Sequence, residues 1–279
     1  SAANGILIKG ATTAEQFAKT KIVVFDKTGT LTTGEFTVDN FTAFNMLEDE
    51  AKAIIFTLES HSSHPIAVSL VKIFAGHKSV SLTNITEVKG NGMFGEDSEG
   101  NKYSLVNAAN LPNAEGFDLV LTKNEKIVAG FNIQDEIKPG AQAVINYFKS
   151  KNIKTIVLSG DKEQKVQSLA TTLNMDNYYA NYNPEKKLKL IDELKSQSIV
   201  TMVGDGINDS PALEHADVGI SMSNATQIAI NSAQIILLNG QFDKLITAHQ
   251  LSIKTLKTIK QNLFWAFFYN VCGIPIAAG

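Results

Sequence analysis

The chain has 279 residues, a length that suits one large unit or two smaller ones, and its 25 Lys and Arg against 28 Asp and Glu leave a formal net charge of −3. Hydrophobic residues make up 44% of it and charged residues 19%, an ordinary globular composition that excludes wholesale disorder and a coiled coil. The balanced charge without Lys/Arg clusters argues against a nucleic-acid binder, and the single cysteine, Cys272, excludes an internal disulfide framework and a multi-cysteine zinc site.

Short apolar runs that end in polar turns predict the strands of a parallel sheet, at 21–25, 154–158, 199–203, 217–222 and 234–238. Amphipathic helical patterns lie between them, at 139–151, 162–174 and 185–196. Continuous apolar strands that alternate with helices are typical of a parallel sheet covered on both faces. In such sheets ligands bind at the carboxyl ends of the strands, and Asp26, Ser159 and Asp205 stand at those ends.

The stretch from 33 to 134 separates the first strand from the next helix–strand unit and is far too long for a crossover loop. It contains a helical pattern over 48–59, a His-Pro stretch, and short alternating strands with Gly-rich turns over 81–132. The sequence therefore predicts an inserted α+β domain at 33–134. The surrounding doubly wound parallel α/β domain is predicted to comprise 1–32 and 135–245.

Residues 246–260 predict a helical bridge, and residues 261–279 follow it without a charged side chain. The apolar tail is close to the minimum length of a membrane-spanning helix, and three lysines precede it, as at a cytoplasmic membrane entry. A buried C-terminal helix is the alternative, although Asn262, Gly273 and Pro275 suit a membrane helix better. We therefore expect a partial transmembrane helix within 246–279.

Asp26 directly follows the first predicted strand and is the candidate nucleophile. A carboxylate at a strand end, surrounded by turn amides and hydroxyls, is well placed to attack phosphorus. Thr28 lies two positions after Asp26 and cannot deprotonate water near neutral pH. An aspartyl phosphate at Asp26 would therefore hydrolyse slowly. The segment DKTGTLT at 26–32 resembles the phosphorylation motif of P-type ATPases, which belong to the haloacid dehalogenase superfamily.

The resemblance implies a magnesium site at the ends of the first and third strands. In the segment GDGINDSP at 204–211, Asp205 corresponds to the main Mg²⁺ ligand, joined by Asp26 and the Thr28 carbonyl, while Asn208 and Asp209 order the site. Hard oxygen donors of this kind suit Mg²⁺.

Six further residues correspond to phosphate-site or hinge residues of the family. Ser159 and Asp161 match its Thr-Gly-Asp segment, and the Ser hydroxyl can still bond a phosphoryl oxygen. Lys187 corresponds to the phosphate-contacting lysine, with a solvated charge on a helix as the alternative. The resemblance also covers Asp135 and Lys138-Pro139 at the hinge that follows the insertion.

Glu59, the pair His64-Pro65, and the glycines Gly90 and Gly92 resemble the nucleotide site of the metal-transporting subgroup. The resemblance implies that the His64 imidazole lies beside adenine and that the Gly turn lets ATP approach the backbone. A helix-terminal histidine without a ligand is the alternative for His64. A dinucleotide-binding fold is disfavoured, because the residues after the glycines lack an apolar helical period.

Asn262, Tyr269 and Asn270 resemble polar positions in the seventh membrane helix of copper-transporting ATPases, and they are candidate ligands of a transported Cu⁺. Seven residues span about two helical turns, so Asn262 and Tyr269 share a face. An aromatic residue at the membrane interface is the alternative for Tyr269. Cu⁺ prefers soft ligands, and the tail's one thiol, Cys272, lies outside the pattern.

The resemblance identifies the chain as the cytoplasmic catalytic segment of a heavy-metal P-type ATPase, with Cu⁺ export as the expected transport. It implies ATP and Mg²⁺ as cofactors, a multi-pass protein of the cell membrane, and actuator and further transmembrane parts as partners. Three alternatives stay open. They are a soluble phosphatase of the same superfamily, a non-catalytic nucleotide-binding regulator, and a pump for another cation such as Zn²⁺.

Overall fold

The computed structural model describes residues 5–205, 209–222 and 231–277, and the chain divides into two compact units. Unit 1 combines the residues up to Thr32 with those from Ile137 onward, and unit 2 is Thr33–Glu136. The described strands are β1 (Ile6–Ile8), β2 (Ile22–Asp26), β3 (Thr32–Ala43), β4 (Thr83–Val88), β5 (Gly92–Glu96), β6 (Lys102–Asn107), β7 (Leu119–Lys123), β8 (Lys126–Ile137), β9 (Lys154–Leu158), β10 (Asn177–Tyr179), β11 (Val200–Gly204), β12 (Val218–Ser221) and β13 (Ile235–Leu237). The described α-helices are α1 (Ala11–Ala18), α2 (Glu48–Glu59), α3 (Pro65–Ile73), α4 (Ala141–Ser150), α5 (Glu163–Thr172), α6 (Pro184–Lys195), α7 (Ser210–His215) and α8 (Lys244–Ala277).

Unit 1 is built on a seven-stranded sheet in the order β1-β13-β12-β11-β2-β9-β10. Neighbouring strands from β13 to β10 are parallel, and the edge strand β1 runs antiparallel to β13. The chain leaves β2 for β9 and β10 on one side and then returns to β11 on the other. The strand order therefore reverses beside β2, where doubly wound sheets bind their ligands. The predicted doubly wound parallel sheet is confirmed.

The strand β2 shows why the central strands read as unbroken apolar runs. All five of its residues are buried. Ile22 and Val24 pack in one core with α6 and α7, while Val23 and Phe25 pack in another with α1, α4, α5 and α8. Alternate side chains thus meet helices on opposite faces of the sheet. Burying one such side chain stabilises the fold by about 1.5–3 kcal/mol.

Unit 2 contains a six-stranded sheet in the order β3-β8-β7-β6-β5-β4, and its pairs from β8 to β4 are antiparallel. Leu105 and Val106 are neighbours in β6 and belong to different cores. The core around Leu105 includes α2 and α3, which contribute Ile54, Leu58 and Leu70. A mixed α+β unit therefore occupies the part of the chain where the sequence predicts the insertion.

The described residues end in a single long helix, α8. Its first turns are buried in unit 1 through Leu245, Ala248 and His249. Its later turns expose large apolar side chains, which are Leu263, Phe264, Trp265, Phe267, Phe268, Tyr269 and Val271. Among the described helices, none combines the length and the apolar character that crossing a membrane requires. The partial transmembrane helix stays a prediction.

Candidate active site

Three neighbouring strands of unit 1 carry polar residues at one edge of the sheet. β2 ends at Asp26, β11 ends one residue before Asp205, and β9 ends one residue before Ser159. The strands are adjacent and parallel, with Asp26 in register with Leu158. The carboxyl ends therefore meet at the same edge, as the sequence predicts.

Lys187 joins two carboxylates at this edge. It lies in the first turn of α6, which begins at Pro184 and is capped by Asn183, whose side chain accepts a hydrogen bond from the backbone of Lys186. The Lys187 Nζ donates to Asp26 Oδ1 at 2.6 Å and to Asp209 Oδ1 at 2.8 Å. The three side chains are only 12%, 9% and 1% exposed, in the order Lys187, Asp26, Asp209. Lys187 is thus a largely buried, paired cation, and its contact with phosphate stays a prediction.

Burial and charge perturb the pKa values of this triad. Burial, reinforced by the charge of Asp209, raises the pKa of Asp26 to about 7, although Lys187 acts in the opposite direction. Burial also raises the pKa of Asp209. Burial alone would lower the pKa of Lys187, but the two carboxylates outweigh it and raise that pKa. A single ammonium thus faces two buried acids, so the site can accommodate further positive charge.

The oxygen atoms at this edge fit a magnesium ion. The Asp205 carboxylate lies beside the backbone of Gly29, where an added Cβ would sit 3.8 Å from Asp205 Oδ2. The buried Oδ2 of Asp209 has no hydrogen-bond partner among the described residues. Those residues contain no group of three His, Cys, Asp or Glu side chains that could hold a metal. Mg²⁺, however, typically takes one or two carboxylates and fills its shell with phosphate oxygens and water.

The turn Lys27–Leu31 follows the candidate nucleophile and is irregular. Thr28 and Gly29 depart from helical dihedral angles, with Gly29 at φ 73° and ψ −7°. Lys138 Nζ donates to the Gly29 carbonyl oxygen at 2.5 Å. Burial lowers the pKa of Lys138, while nearby Asp205 acts to raise it. Thr28 is exposed, and its carbonyl stays a predicted magnesium ligand.

Ser159 and Asp161 lie on the other side of β2. Ser159 is 3% exposed, and its Oγ accepts a hydrogen bond from the Asp161 backbone at 3.2 Å. The Asp161 carboxylate forms an ion pair with Lys27, with Oδ2 and Nζ 2.7 Å apart. Lys27 is only 2% exposed. The predicted phosphate and nucleotide roles of Ser159 and Asp161 are untested, and Asn208 lies outside the described residues.

Sequence reasoning did not select Lys27 or Lys138 as neighbours of the site. One signal for Lys27 was available, because a lysine placed directly after a buried strand needs a carboxylate partner if it is buried itself. For Lys138 the resemblance covers the segment Lys138-Pro139 at the hinge, but it implies no contact with the site. Its contact with Gly29 joins residues separated by 109 positions along the chain.

Two residues of the predicted nucleotide site lie at helix ends in unit 2. Glu59 ends α2 and is 7% exposed. Burial, with a smaller contribution from the charge of Glu87, raises the pKa of Glu59 to about 7. His64 is exposed and caps α3, where its Nδ1 accepts a hydrogen bond from the Ile66 backbone at 3.3 Å. His64 therefore has the helix-terminal role, and its contact with adenine stays a prediction.

The two predicted nucleotide-site glycines lie between β4 and the start of β5, and they differ in their surroundings. Gly90 has φ 78°, and an added Cβ would meet nothing within 4 Å. Gly92 has φ 148°, and its Cβ would lie 2.1 Å from the Leu105 carbonyl oxygen. Packing against β6 therefore requires glycine at 92 with or without a nucleotide. Gly90 leaves open space for a ligand.

The predicted copper ligands lie on the exposed part of α8. Asn262 and Asn270 are exposed, and Tyr269 is 70% exposed. Their role stays a prediction.

The comparisons with known proteins agree with this geometry. A profile of the haloacid dehalogenase-like hydrolases matches residues 20–217. Over 298 aligned residues the chain is 37% identical to the copper-exporting P-type ATPase of Staphylococcus haemolyticus (strain JCSC1435), with all of this chain covered. It spans only 37% of that relative's length.

Two solved structures resemble the chain. One is a zinc-transporting PIB-type ATPase in its E2.Pi state, with a TM-score of 0.89, 26% identity, and coverage of 99% of this chain and 48% of the other. The second is the catalytic domain of the CPx-ATPase CopB-B, from work on its conformational changes upon nucleotide binding, with a TM-score of 0.72 and 34% identity. That match covers 88% of this chain and 96% of the other.

Proposed function

Because the chain belongs to the haloacid dehalogenase-like hydrolases and, among them, to the catalytic domains of P-type ATPases, we propose that it transfers the γ-phosphoryl group of ATP to Asp26 and so drives the export of a heavy-metal cation, Cu⁺ foremost. The observation that carries the proposal is the buried Lys187, which joins Asp26 to Asp209 at the carboxyl-end edge of the sheet. In that arrangement the proposed nucleophile and a second acid each lie within hydrogen-bond distance of the same cation.

In the proposed reaction a carboxylate oxygen of Asp26 forms a bond to the γ-phosphorus. The bond from that phosphorus to the β,γ-bridging oxygen breaks, and ADP leaves with the electron pair. Lys187 orients the Asp26 carboxylate and offsets the charge on the phosphoryl oxygens, while Asp209 fixes the Lys187 ammonium. Bound Mg²⁺, held by Asp26, Asp205 and the Thr28 carbonyl, would supply further positive charge at the phosphoryl oxygens.

The persistence of the aspartyl phosphate follows from Thr28. Its hydroxyl is too weak a base near neutral pH to deprotonate an attacking water, so the phosphoprotein accumulates. In unit 2 we assign the adenine to Glu59, His64, Gly90 and Gly92. The open space at Gly90 supports this assignment, and so does the buried Glu59 carboxyl, which can donate a hydrogen bond when it is protonated.

The test is to incubate the chain with γ-labelled ATP and Mg²⁺, quench it with acid, and follow the decay of label on the protein after a chase with unlabelled ATP. Thr28→Asp supplies a base two residues past Asp26 and is expected to shorten the phosphoprotein lifetime by about 10²–10⁴-fold. Thr172→Asp, at an exposed position of α5, is the matched control and is expected to leave the lifetime unchanged. The proposal is contradicted if the wild-type protein takes up no label. It is also contradicted if the protein rapidly hydrolyses small phosphate esters without forming a stable phosphoprotein, a result that favours the soluble phosphatase.

The transported ion is the finer part of the proposal. The copper-exporting relative supports Cu⁺ as the transported ion. For that ion we assign Asn262, Tyr269 and Asn270 as ligands, in a multi-pass protein of the cell membrane. The zinc-transporting structural neighbour favours Zn²⁺ as the second candidate. Transport by the membrane-embedded full-length protein in vesicles distinguishes them when Cu⁺, Zn²⁺ and K⁺ are compared for wild type and Tyr269→Phe. Cu⁺ uptake that is reduced in Tyr269→Phe is expected, whereas uptake of Zn²⁺ without Cu⁺ overturns the ion assignment and leaves the pump.

A further inference from the structure

Lys138 contacts the turn after Asp26 twice. Its Nζ donates to the carbonyl oxygen of Gly29 at 2.5 Å, and its backbone N–H donates to the carbonyl oxygen of Leu31 at 2.9 Å. Lys138 directly follows Ile137, the residue at which the chain re-enters unit 1. A single residue thus holds the second half of the Lys27–Leu31 turn from both its side chain and its backbone.

The turn needs such a donor because its backbone is not helical in the middle. Gly29 adopts a positive φ of 73°, and Thr28 has an extended ψ of 125°. Because glycine tolerates many backbone conformations, a donor from outside the turn can help to fix the direction of the Gly29 carbonyl. Lys138 provides that donor, and its ammonium is also close enough to Asp205 for an electrostatic interaction.

We propose that Lys138 is a positioning residue for phosphoryl transfer, which fixes the Gly29 carbonyl and thereby holds the turn that carries Thr28 beside Asp26. The inference rests on the proposed function, because it assigns Lys138 a role only if Asp26 accepts a phosphoryl group. Without the ammonium, the Gly29 carbonyl is free to turn toward water, and the turn moves with it. Displacements of about 1 Å in a reacting geometry can slow a reaction by about 10²-fold.

The expected effect lies in the rate of phosphorylation and not in the affinity for ATP. The residues that we assign to adenine belong to unit 2, whereas Lys138 and the turn that it holds belong to unit 1. Lys138→Met removes the ammonium and keeps the backbone N–H that binds Leu31, whereas Lys138→Arg restores a cationic donor. Lys149→Met is the matched control, because Lys149 Nζ also donates to a backbone carbonyl in unit 1, that of Asn174, at 2.6 Å.

The experiment measures the single-turnover rate of label transfer from ATP to Asp26, the dissociation constant for ATP, and the melting temperature of each variant. We expect Lys138→Met to label about 10–100-fold more slowly, with ATP affinity within about twofold of wild type. Lys138→Arg is expected to recover most of the rate, and Lys149→Met to label like wild type. If Lys138→Met melts below the assay temperature, Lys138→Gln, which keeps a shorter donor, takes its place.

A Lys138→Met protein that labels at the rate of wild type or of Lys149→Met overturns the positioning role. The same conclusion follows if Lys138→Arg fails to recover the rate and the melting temperatures of both Lys138 variants fall in proportion to their labelling rates. These outcomes leave the proposed function intact, since wild type still labels at Asp26. A wild-type protein that never labels at Asp26 overturns both the function and the role of Lys138.

Discussion

Replacing Lys187 with Met keeps an unbranched side chain on α6 but removes the cation between Asp26 and Asp209. Two charge-assisted hydrogen bonds are lost, at 2.6 and 2.8 Å, each worth about 1.5–3 kcal/mol net. Breaking a buried ion pair by removing one partner costs about 3–5 kcal/mol. The acids can limit this cost by taking up a proton, because burial already raises the pKa of both. We therefore expect unit 1 to lose about 3 kcal/mol of unfolding free energy at pH 8.

Hydrogen exchange read by mass spectrometry on peptides from β2 and β11 measures this loss, in EDTA and at increasing urea. A local readout is needed because a chain with two compact units need not unfold in a single two-state transition. Lys149→Met is the control, since Lys149 and its partner Asp176 are 30% and 35% exposed. A pair this exposed is worth about 1 kcal/mol or less. If Lys187→Met loses no more stability than Lys149→Met, the three buried charges do not stabilise unit 1 and the reasoning is refuted.

Three further predictions concern single positions. Gly92→Ala should destabilise unit 2 by about 3 kcal/mol or more, because the added Cβ would lie 2.1 Å from the Leu105 carbonyl oxygen. Gly90→Ala should cost only about 1 kcal/mol, because of the positive φ at that position. Denaturation followed by hydrogen exchange in β5 and β6 compares the two variants, and equal losses of unfolding free energy would contradict the packing argument. Burial raises the pKa of Glu59 in the folded state to about 7, so unit 2 should lose stability as pH rises from about 4.5 to about 7. Glu59→Gln should abolish that loss and be more stable than wild type above pH 7 by about 3 kcal/mol. Parallel profiles of stability against pH for the two proteins would refute this. His249 is buried beside Tyr147, and burial lowers its pKa to about 4. Unit 1 should therefore lose stability as pH falls from about 6.5 toward about 4, and His249→Phe should reduce this dependence of stability on pH in hydrogen-exchange measurements of α4. An unchanged dependence on pH would show that His249 does not titrate in this range.

The parallel sheet and its ligand-bearing edge could be predicted because burial on both faces leaves a readable pattern. A strand such as β2 has no solvent-facing side chain, so the polar residue that ends the apolar run marks the edge. This pattern predicts that Asp26, Ser159 and Asp205 lie at one edge of the sheet, and the parallel pairing of their strands brings them to that edge.

The contacts within the site could not be predicted from the same pattern. Lys187 meets Asp26 across 161 positions of sequence, and that meeting depends on how α6 packs against the sheet. A lysine near a helix start reads as solvated, and nothing local shows that its side chain is only 12% exposed. Gly92 illustrates the opposite difficulty, because a glycine that resembles a nucleotide turn is also required by the neighbouring strand.

The measurement that tests the account most directly is chemical trapping of the phosphoprotein. The chain is incubated with ATP and Mg²⁺, quenched with acid, reduced with borohydride, which converts an aspartyl phosphate to homoserine, and sequenced by mass spectrometry. The account predicts homoserine at position 26 of wild type and none in Asp26→Asn. Homoserine at another position, or ATP hydrolysis with no converted aspartate at all, contradicts it.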